Sequence, residues 1–363
     1  MVIGLALGAE RPVLRVDVPF PTKDKPQSKV WHAHGQWWAW LPVKDGSSVW
    51  RRTPGAGWKR EAHLDGALRG LPGQADVWSD ADGARAVLVG AKEVAVVALR
   101  WEGGRYVVEG APVRWAQEAE TATIVRDREG RWWIAHDDGN RIVARGSVDR
   151  DGRKWREPVV LNEKEMADDD ICAAIALPDG VGVLWSDQKN DGVYFRRIGG
   201  AVEVVQEGGL NADDHINAAV SADGTVYVAM KNSVDRVGEP QLVLRIRDRQ
   251  GWWTSVPYAN RTAEGTPSRP IAVIGGAPER LFLLHTFYEP GPTAARRDGI
   301  ALLVSGLPRY RVDVGAEVVT RGEGVRLNDV TGPKGRFPEG AEWVVLSSDE
   351  HGNVYETRLE KRF

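Results

Sequence analysis

The chain has 363 residues, of which 42% are hydrophobic and 27% charged, and a formal net charge of -3. Forty-eight basic residues against 51 acidic ones exclude the domain-wide positive charge of a nucleic-acid binder. The one cysteine, Cys172, excludes an intrachain disulfide, and no run approaches the roughly 18 apolar residues of a membrane helix.

Met1 to Ala9 is mildly apolar but lacks a basic n-region and stops at Glu10-Arg11. It is too short for a secretory leader or a span. The expectation is a soluble chain, cytoplasmic or particle-associated, or extracellular through another export route. Val13 to Val18 then reads as an orphan strand. After it a unit begins that recurs to the end: polar start, short apolar strand, Asp-Gly or similar turn, stronger apolar strand. Its copies start near residues 28, 75, 120, 170, 215, 268 and 327. The intervals are those of a four-stranded propeller blade, roughly 40–50 residues, with the last two longer. Third and fourth strands show as Ser48-Arg52 and Trp58-Ala62 in the first copy, and as Leu242-Ile246 and Trp252-Val256 in the fifth. Their period-2 alternation is that of half-buried strands. No segment carries a convincing amphipathic helix; Asn162 to Met166 is one turn at most.

The last copy supplies three strands, ending in Val354-Leu359, and strand 13–18 would complete it. The chain therefore reads as a single seven-bladed β-propeller over 1–363, closed by strands from both termini, with both termini ordered. Closure removes the unpaired edges of an open sheet. A six-bladed ring with an appended last segment is the competing arrangement.

The pairs Trp37-Trp38, Trp132-Trp133 and Trp252-Trp253 read as packing between blades, because adjacent strand residues face opposite sides. The alternative is a platform for sugar stacking. Several turns resemble the Asp-box, a Ser/Thr-x-Asp-x-Gly-x-x-Trp hairpin: Ser147 to Trp155, with one residue too many, and the looser Asp127 to Trp132 and Asp248 to Trp252. There the Asp braces the turn through backbone N–H groups, a structural role. With these turns, the runs Asp213 to Val220, Gly182 to Gln188, Gln27 to Trp38 and Asn328 to Thr331 resemble bacterial sialidase-superfamily propellers with BNR or Asp-box repeats. That resemblance spans most of the chain and implies the fold. Many members have no assigned activity; others resemble polysaccharide lyases or glycosidases, some with an Asp-Asp-His-Asn segment near the active site. This sequence departs from that segment by Ile216, between His215 and Asn217.

Inner strands of a propeller all start at one end of the channel, so their first residues converge. These are Lys29, Asp76, Glu120, Asp170, His215, Arg269 and Asn328, within about two residues. A wet channel alone would make them polar. Otherwise they bind a glycan, carboxylates accepting from hydroxyls while Lys29 and Arg269 meet acidic groups. Or they catalyse: His215 as a base tuned by Asp214, Arg269 neutralising a uronate, and Tyr288 donating a proton to the leaving oxygen, which is β-elimination on an acidic polysaccharide. Two of Asp76, Glu120 and Asp170 could instead form a glycosidase pair. Sialidase chemistry would need an arginine triad, and the ring contains Arg269 alone.

Asp168-Asp169-Asp170 and Asp213-Asp214 are oxygen-rich, so Asp168, Asp169 and Asp213 are candidate Ca2+ ligands. Cys172 is expected to be small and buried. Loops 233–241 and 288–298 read as the longest insertions and as possible contacts for a protein partner. The sequence thus points to a carbohydrate-directed propeller that binds a glycan and, if an enzyme, cleaves it as a lyase or glycoside hydrolase. The competing class is a non-enzymatic adhesion or assembly module decorating a virion or surface filament.

Overall fold

Each alternating segment pairs with the next through a tight turn, and the turns explain where the sheets begin and end. Asp127, Asp248 and Asp349 each accept the backbone N–H groups of the residues two and four places on, at 2.8–3.0 Å. The residue between, Gly130, Gly251 or Gly352, has φ of 82°, 90° or 79°, which glycine adopts without strain. Asp149 accepts the N–H of Arg153 at 3.1 Å in the hairpin that resembles an Asp-box. The bracing role expected of these carboxylates is therefore what they perform.

The structure is a computed structural model that describes residues 11–24, 26–209, 212–307 and 310–359, with backbone alone for 311–315. It contains seven antiparallel sheets in a ring, a seven-bladed β-propeller with very little helix. Blade 1 is Val30–Ala33, Gln36–Val43, Gly46–Thr53 and Gly57–Arg60. The inner strands of blades 2 to 7 are Gln74–Ser79, Ala122–Arg126, Cys172–Leu177, Ile216–Val220, Thr266–Gly275 and Asn328–Thr331. Blade 2 carries an extra outer strand, since Arg105–Val108 and Val113–Trp115 both pair with Glu93–Glu102. Asn162 to Met166 is not helical; a single α-turn occurs instead at Asp65–Leu68.

Blade 7 closes the ring. Its outermost strand, Leu14–Arg15, lies opposite Val354 and Asn353 of the last strand, Asn353–Leu359. Val13 N–H and Val16 N–H extend the pairing to the carbonyls of Val354 and Gly352, at 2.8 and 2.9 Å. Leu14 and Val16 join one core cluster with Val30, Ile271 and Val354. This overturns the six-bladed alternative. The regular pairing is shorter than the expected 13–18. The expectation of ordered termini falls on 1–10 and 360–363, which lie outside the described residues.

Trp37, Trp38 and Trp132 are buried, as packing between blades requires, but Trp252 is 71% exposed. No helix among the described residues is long and apolar enough to cross a membrane.

Candidate functional site

Polar residues in the inner strands do a structural job first. The Asp76 carboxylate accepts Ile124 N–H of blade 3 at 2.7 Å, and Thr123 Oγ1 accepts Ala174 N–H of blade 4 at 2.8 Å. Asn217 Oδ1 accepts Ala272 N–H of blade 6 at 3.0 Å, and Thr331 Oγ1 accepts Lys29 N–H of blade 1 at 3.0 Å. One device thus stitches four of the seams, satisfying backbone donors that no sheet partner reaches. It also sets the register. Asp76, Thr123, Asn217 and Thr331 are equivalent, so Asp76 sits two residues deeper than His215.

Asp76 is accordingly committed. Its other oxygen accepts Ser28 N–H at 2.7 Å, and it is paired with the ammonium of Lys334. Lys334 belongs to the segment 332–337, which is anchored on blade 6: Ile274 N–H donates to Gly335 O at 2.9 Å and Phe337 N–H to Ile274 O at 2.7 Å. From there Lys334 reaches blades 2 and 3, bonding Ile124 O at 3.0 Å as well. The segment is laid across the channel, beside a cavity of about 290 Å³ lined by Trp78, Val125, Ala174 and Asn217. Lys29 is fully buried, its ammonium on Gln27 Oε1 at 2.7 Å and Ala75 O at 3.2 Å. Burial pulls its pKa down to about 8, although Asp24, Asp76 and Asp329 work to raise it.

At the end where inner strands start, two clusters stand on neighbouring blades. On blade 5, buried His215 offers Nδ1 to Asp213 and, at 2.6 Å, to Asp214. The second Asp213 oxygen takes Lys231 Nζ at 2.6 Å and Ser233 Oγ at 2.9 Å. Burial acts to raise the Asp213 carboxyl, but the bonds and charges of His215 and Lys231 outweigh it and hold it below the usual carboxylate range. Nε2 of His215 is buried with no hydrogen-bond partner. Lys231 lies across the hairpin from His215, its N–H on His215 O at 3.0 Å.

On blades 6 and 7, Arg269 places Nη1 at 2.9 and 3.1 Å from the two Asp329 oxygens. Tyr288 O–H donates to Asn328 Oδ1 at 2.7 Å. Burial raises the Tyr288 phenol, and the adjacent Arg269 only partly offsets this, so it stays protonated at neutral pH. Arg269 and Asp329 both have positive φ, 53° and 20°, unusual for residues with side chains. Asp329 is fixed further by Asp24 N–H at 2.7 Å. The structure therefore gathers Arg269, Tyr288 and Asn328, and separately His215, Asp213 and Asp214, on one end of the ring.

The other candidates lie apart. Asp170 is buried, accepting Ala167 N–H and Gln188 N–H at 3.0 Å. Glu120 is exposed, and its N–H donates to Asp137, at 2.8 and 3.0 Å to the two oxygens. Asp168 and Asp169 are exposed. Among the described residues, the group of metal-type donors that converges is Asp213, Asp214 and His215, within 4.8 Å of one another. Two carboxylates and an imidazole, with Lys231 already on Asp213, fall short of the six to eight oxygens that Ca2+ takes. Cys172 is buried, and burial raises its thiol well above the usual value. Loops 233–241 and 288–298 are not the longest connections, since between strand ends they span 232–239 and 289–298, and 147–158 and 332–342 exceed both. Ser233 and Tyr288, at their first positions, do belong to the two clusters.

Sequence reasoning missed Lys231, Ser233, Asp329 and Lys334. The first two could have been found from the hairpin, because the end of a second strand is level with the start of its first. Lys334 carried no such signal.

No family model and no curated protein matches this sequence. Among solved structures, the chain is similar to prolyl endopeptidases at 12% identity, covering 96% of this chain and 51% of that one, with a TM-score of 0.48. It is similar to the polysaccharide lyase Uly1 at 9% identity, covering 92% and 90%, with a TM-score of 0.47. It is also similar to an α-L-arabinanase of Penicillium chrysogenum complexed with arabinobiose, at 11% identity, covering 96% of each chain, with a TM-score of 0.45. Likenesses this distant carry no argument about family or reaction, and the functional reading rests on the two clusters themselves.

Proposed function

We propose that this protein is a carbohydrate-directed propeller that takes an acidic polysaccharide on the strand-start end of blades 5 to 7 and cleaves it by β-elimination. The observation that supports this most is the state of His215. Its Nδ1 is held by two carboxylates while Nε2 is buried with no hydrogen-bond partner, the arrangement of an oriented base that accepts once the bound polymer opens the site around it. Arg269 on the next blade meets the uronate carboxylate, which acidifies the neighbouring C5–H. His215 Nε2 takes that proton, the C5 electrons form the C4=C5 bond, and the C4–O4 bond breaks. The proton of the Tyr288 phenol goes to the departing O4. Asn328 orients that phenol. The superfamily resemblance of the turns agrees with this reading without carrying it.

The test is incubation with polygalacturonate, alginate, hyaluronate and chondroitin, following ultraviolet absorbance of the new double bond and, in parallel, calorimetric binding. Product and binding in the wild type, binding without product in His215→Ala, and loss of both in Arg269→Ala are expected. No binding to any of the four would end the proposal. A second reading, a non-enzymatic adhesion or assembly module, is favoured by the segment laid across the channel and by exposed Trp252. It would be supported by self-association or filament binding that Trp252→Ser abolishes.

A further inference from the structure

Each inner strand turns one backbone edge toward the channel, and the stitches described above leave part of that edge unserved. In blade 5 the first hairpin is fixed at both ends, Lys231 N–H donating to His215 O and Ser221 N–H to Thr225 O, each at 3.0 Å. Bonded and non-bonded pairs alternate along an antiparallel ladder. With the observed register, Asn217 and Ala219 bond the second strand, while Ala218 turns its N–H and C=O to the channel. In blade 4, Ser186 N–H on Ile171 O at 3.1 Å sets the same alternation and turns Ala174 and Ala176 inward. An inward N–H is met by a side chain of the preceding blade: Asp76 serves Ile124, Thr123 serves Ala174 and Asn217 serves Ala272. Between blades 4 and 5 the corresponding residue is Ala173, which has no acceptor to offer Ala218 N–H.

The cavity of about 290 Å³ stands at this missing stitch, and Ala173, Ala174, Ala176 and Ala218 leave the room for it. Its wall also includes Trp78 and Val220, at the finishing ends of their strands, so it lies toward the end of the channel opposite the two clusters. Ala176, Ala218 and Val220 are partly exposed, so this edge is within reach of solvent. The ionised residues of the wall, Lys334 and Arg336, are already paired with Asp76 and Glu279. The same channel shows how its edges are used. Residues 335–337 run parallel to the inner edge of blade 6, with Ile274 N–H on Gly335 O at 2.9 Å and Phe337 N–H on Ile274 O at 2.7 Å. Blades 4 and 5 present the same edge, its N–H and C=O groups recurring every second residue, about 7 Å apart. Among the described residues no strand pairs with it.

We infer that this cavity binds a short, neutral, extended peptide of small residues, which pairs with the inner edge of blade 5 and accepts Ala218 N–H on one of its carbonyls. An apolar ligand would leave that N–H unmet, and backbone groups require partners. An ion would find both cations of the wall already engaged. An extended backbone supplies acceptor and donor at the spacing the edge presents, the main-chain pairing by which a peptide adds a strand to a sheet. The volume of 290 Å³ equals roughly ten waters at about 30 Å³ each, room for about two alanine-sized residues.

The experiment is saturation-transfer difference NMR of the full chain with two blocked tripeptides, acetyl-Ala-Ala-Ala-amide and acetyl-Val-Ala-Val-amide. The tri-lysine and tri-glutamate analogues serve as charged comparisons, and the tri-alanine peptide methylated on every backbone nitrogen as the one that cannot donate. Transfer to at least one neutral peptide is expected in the wild type and, equally, in His215→Ala, which separates this site from the one proposed on the other end. Ala173→Ser supplies the missing stitch, its hydroxyl accepting Ala218 N–H as Thr123 does for Ala174, and should weaken binding at least tenfold with no fall in Tm. Ala176→Phe, which fills the cavity, should abolish binding, and decides alone if Ala173→Ser lowers Tm. Absence of transfer to both neutral peptides, equal transfer to the methylated one, undiminished transfer in Ala176→Phe, or preference for a charged peptide over both neutral ones would each overturn the inference.

Discussion

Replacing Asp76 by alanine tests whether the inner-strand stitches hold the ring together. The side chain is fully buried and serves three donors: Ser28 N–H and Ile124 N–H, both at 2.7 Å, and the ammonium of Lys334. Leaving a buried amide unsatisfied costs about 1–3 kcal/mol, and breaking a buried ion pair from one side about 3–5 kcal/mol. The losses overlap, since Lys334 keeps Ile124 O and is 16% exposed, so the substitution should cost about 5 kcal/mol in total. An unfolding entropy near 2.1 cal/mol/K per residue amounts to roughly 0.8 kcal/mol/K for a chain of 363 residues. The expected fall in Tm is then about 6 °C, read by differential scanning calorimetry. The double variant Asp76→Ala, Lys334→Met removes the stranded ammonium and should recover about half of that loss, the coupling a double-mutant cycle isolates. A fall of less than about 1 °C for Asp76→Ala would refute the stitch. A double variant no more stable than the single one would refute the ion pair's part in it.

Gly352→Ala should loosen ring closure: at φ 79° its new methyl would lie 2.3 Å from Val16 O and 2.7 Å from Val18 O. A loss of about 2 kcal/mol in urea unfolding is expected, together with earlier proteolysis near residues 11–18; unchanged proteolysis would count against closure by this strand. Lys29 has a folded pKa near 8 against 10.5 in an exposed chain, so between those values the unfolded state binds more protons and stability rises with pH. Lys29→Met should flatten that rise, about 3 kcal/mol at most, in denaturation curves taken from pH 7 to 10; an equal rise in the variant would assign it to other groups. Trp252→Ser should leave Tm within about 1 °C, as its side chain is 71% exposed.

Much of the architecture is written locally. Period-2 alternation marks the inner strands, and Asp-x-x-Gly turns mark the hairpins at Asp127, Asp248 and Asp349, because a turn's geometry depends on a few adjacent residues. The blade starts placed His215, Arg269 and Asn328 on one end for the same reason. Asp76 lies two residues deeper than His215, at the limit of that register, because depth along a strand depends on which neighbour it faces. Asp76 looks like any polar strand residue until blade 3 supplies the Ile124 N–H that it satisfies.

The sequence by itself therefore determined the repeated sheet, since its strands and hairpins follow from contacts between near neighbours along the chain; that the ring has seven blades and that residues 14–15 complete the last one on Val354 and Asn353 was decided by closure. Only the tertiary structure decided which polar residues are consumed as stitches, that Lys334 crosses the channel, and that Arg52 and Glu356, 304 residues apart, build one wall between the first blade and the last. Those pairings are made across the ring, where proximity is a property of closure and no local pattern records it.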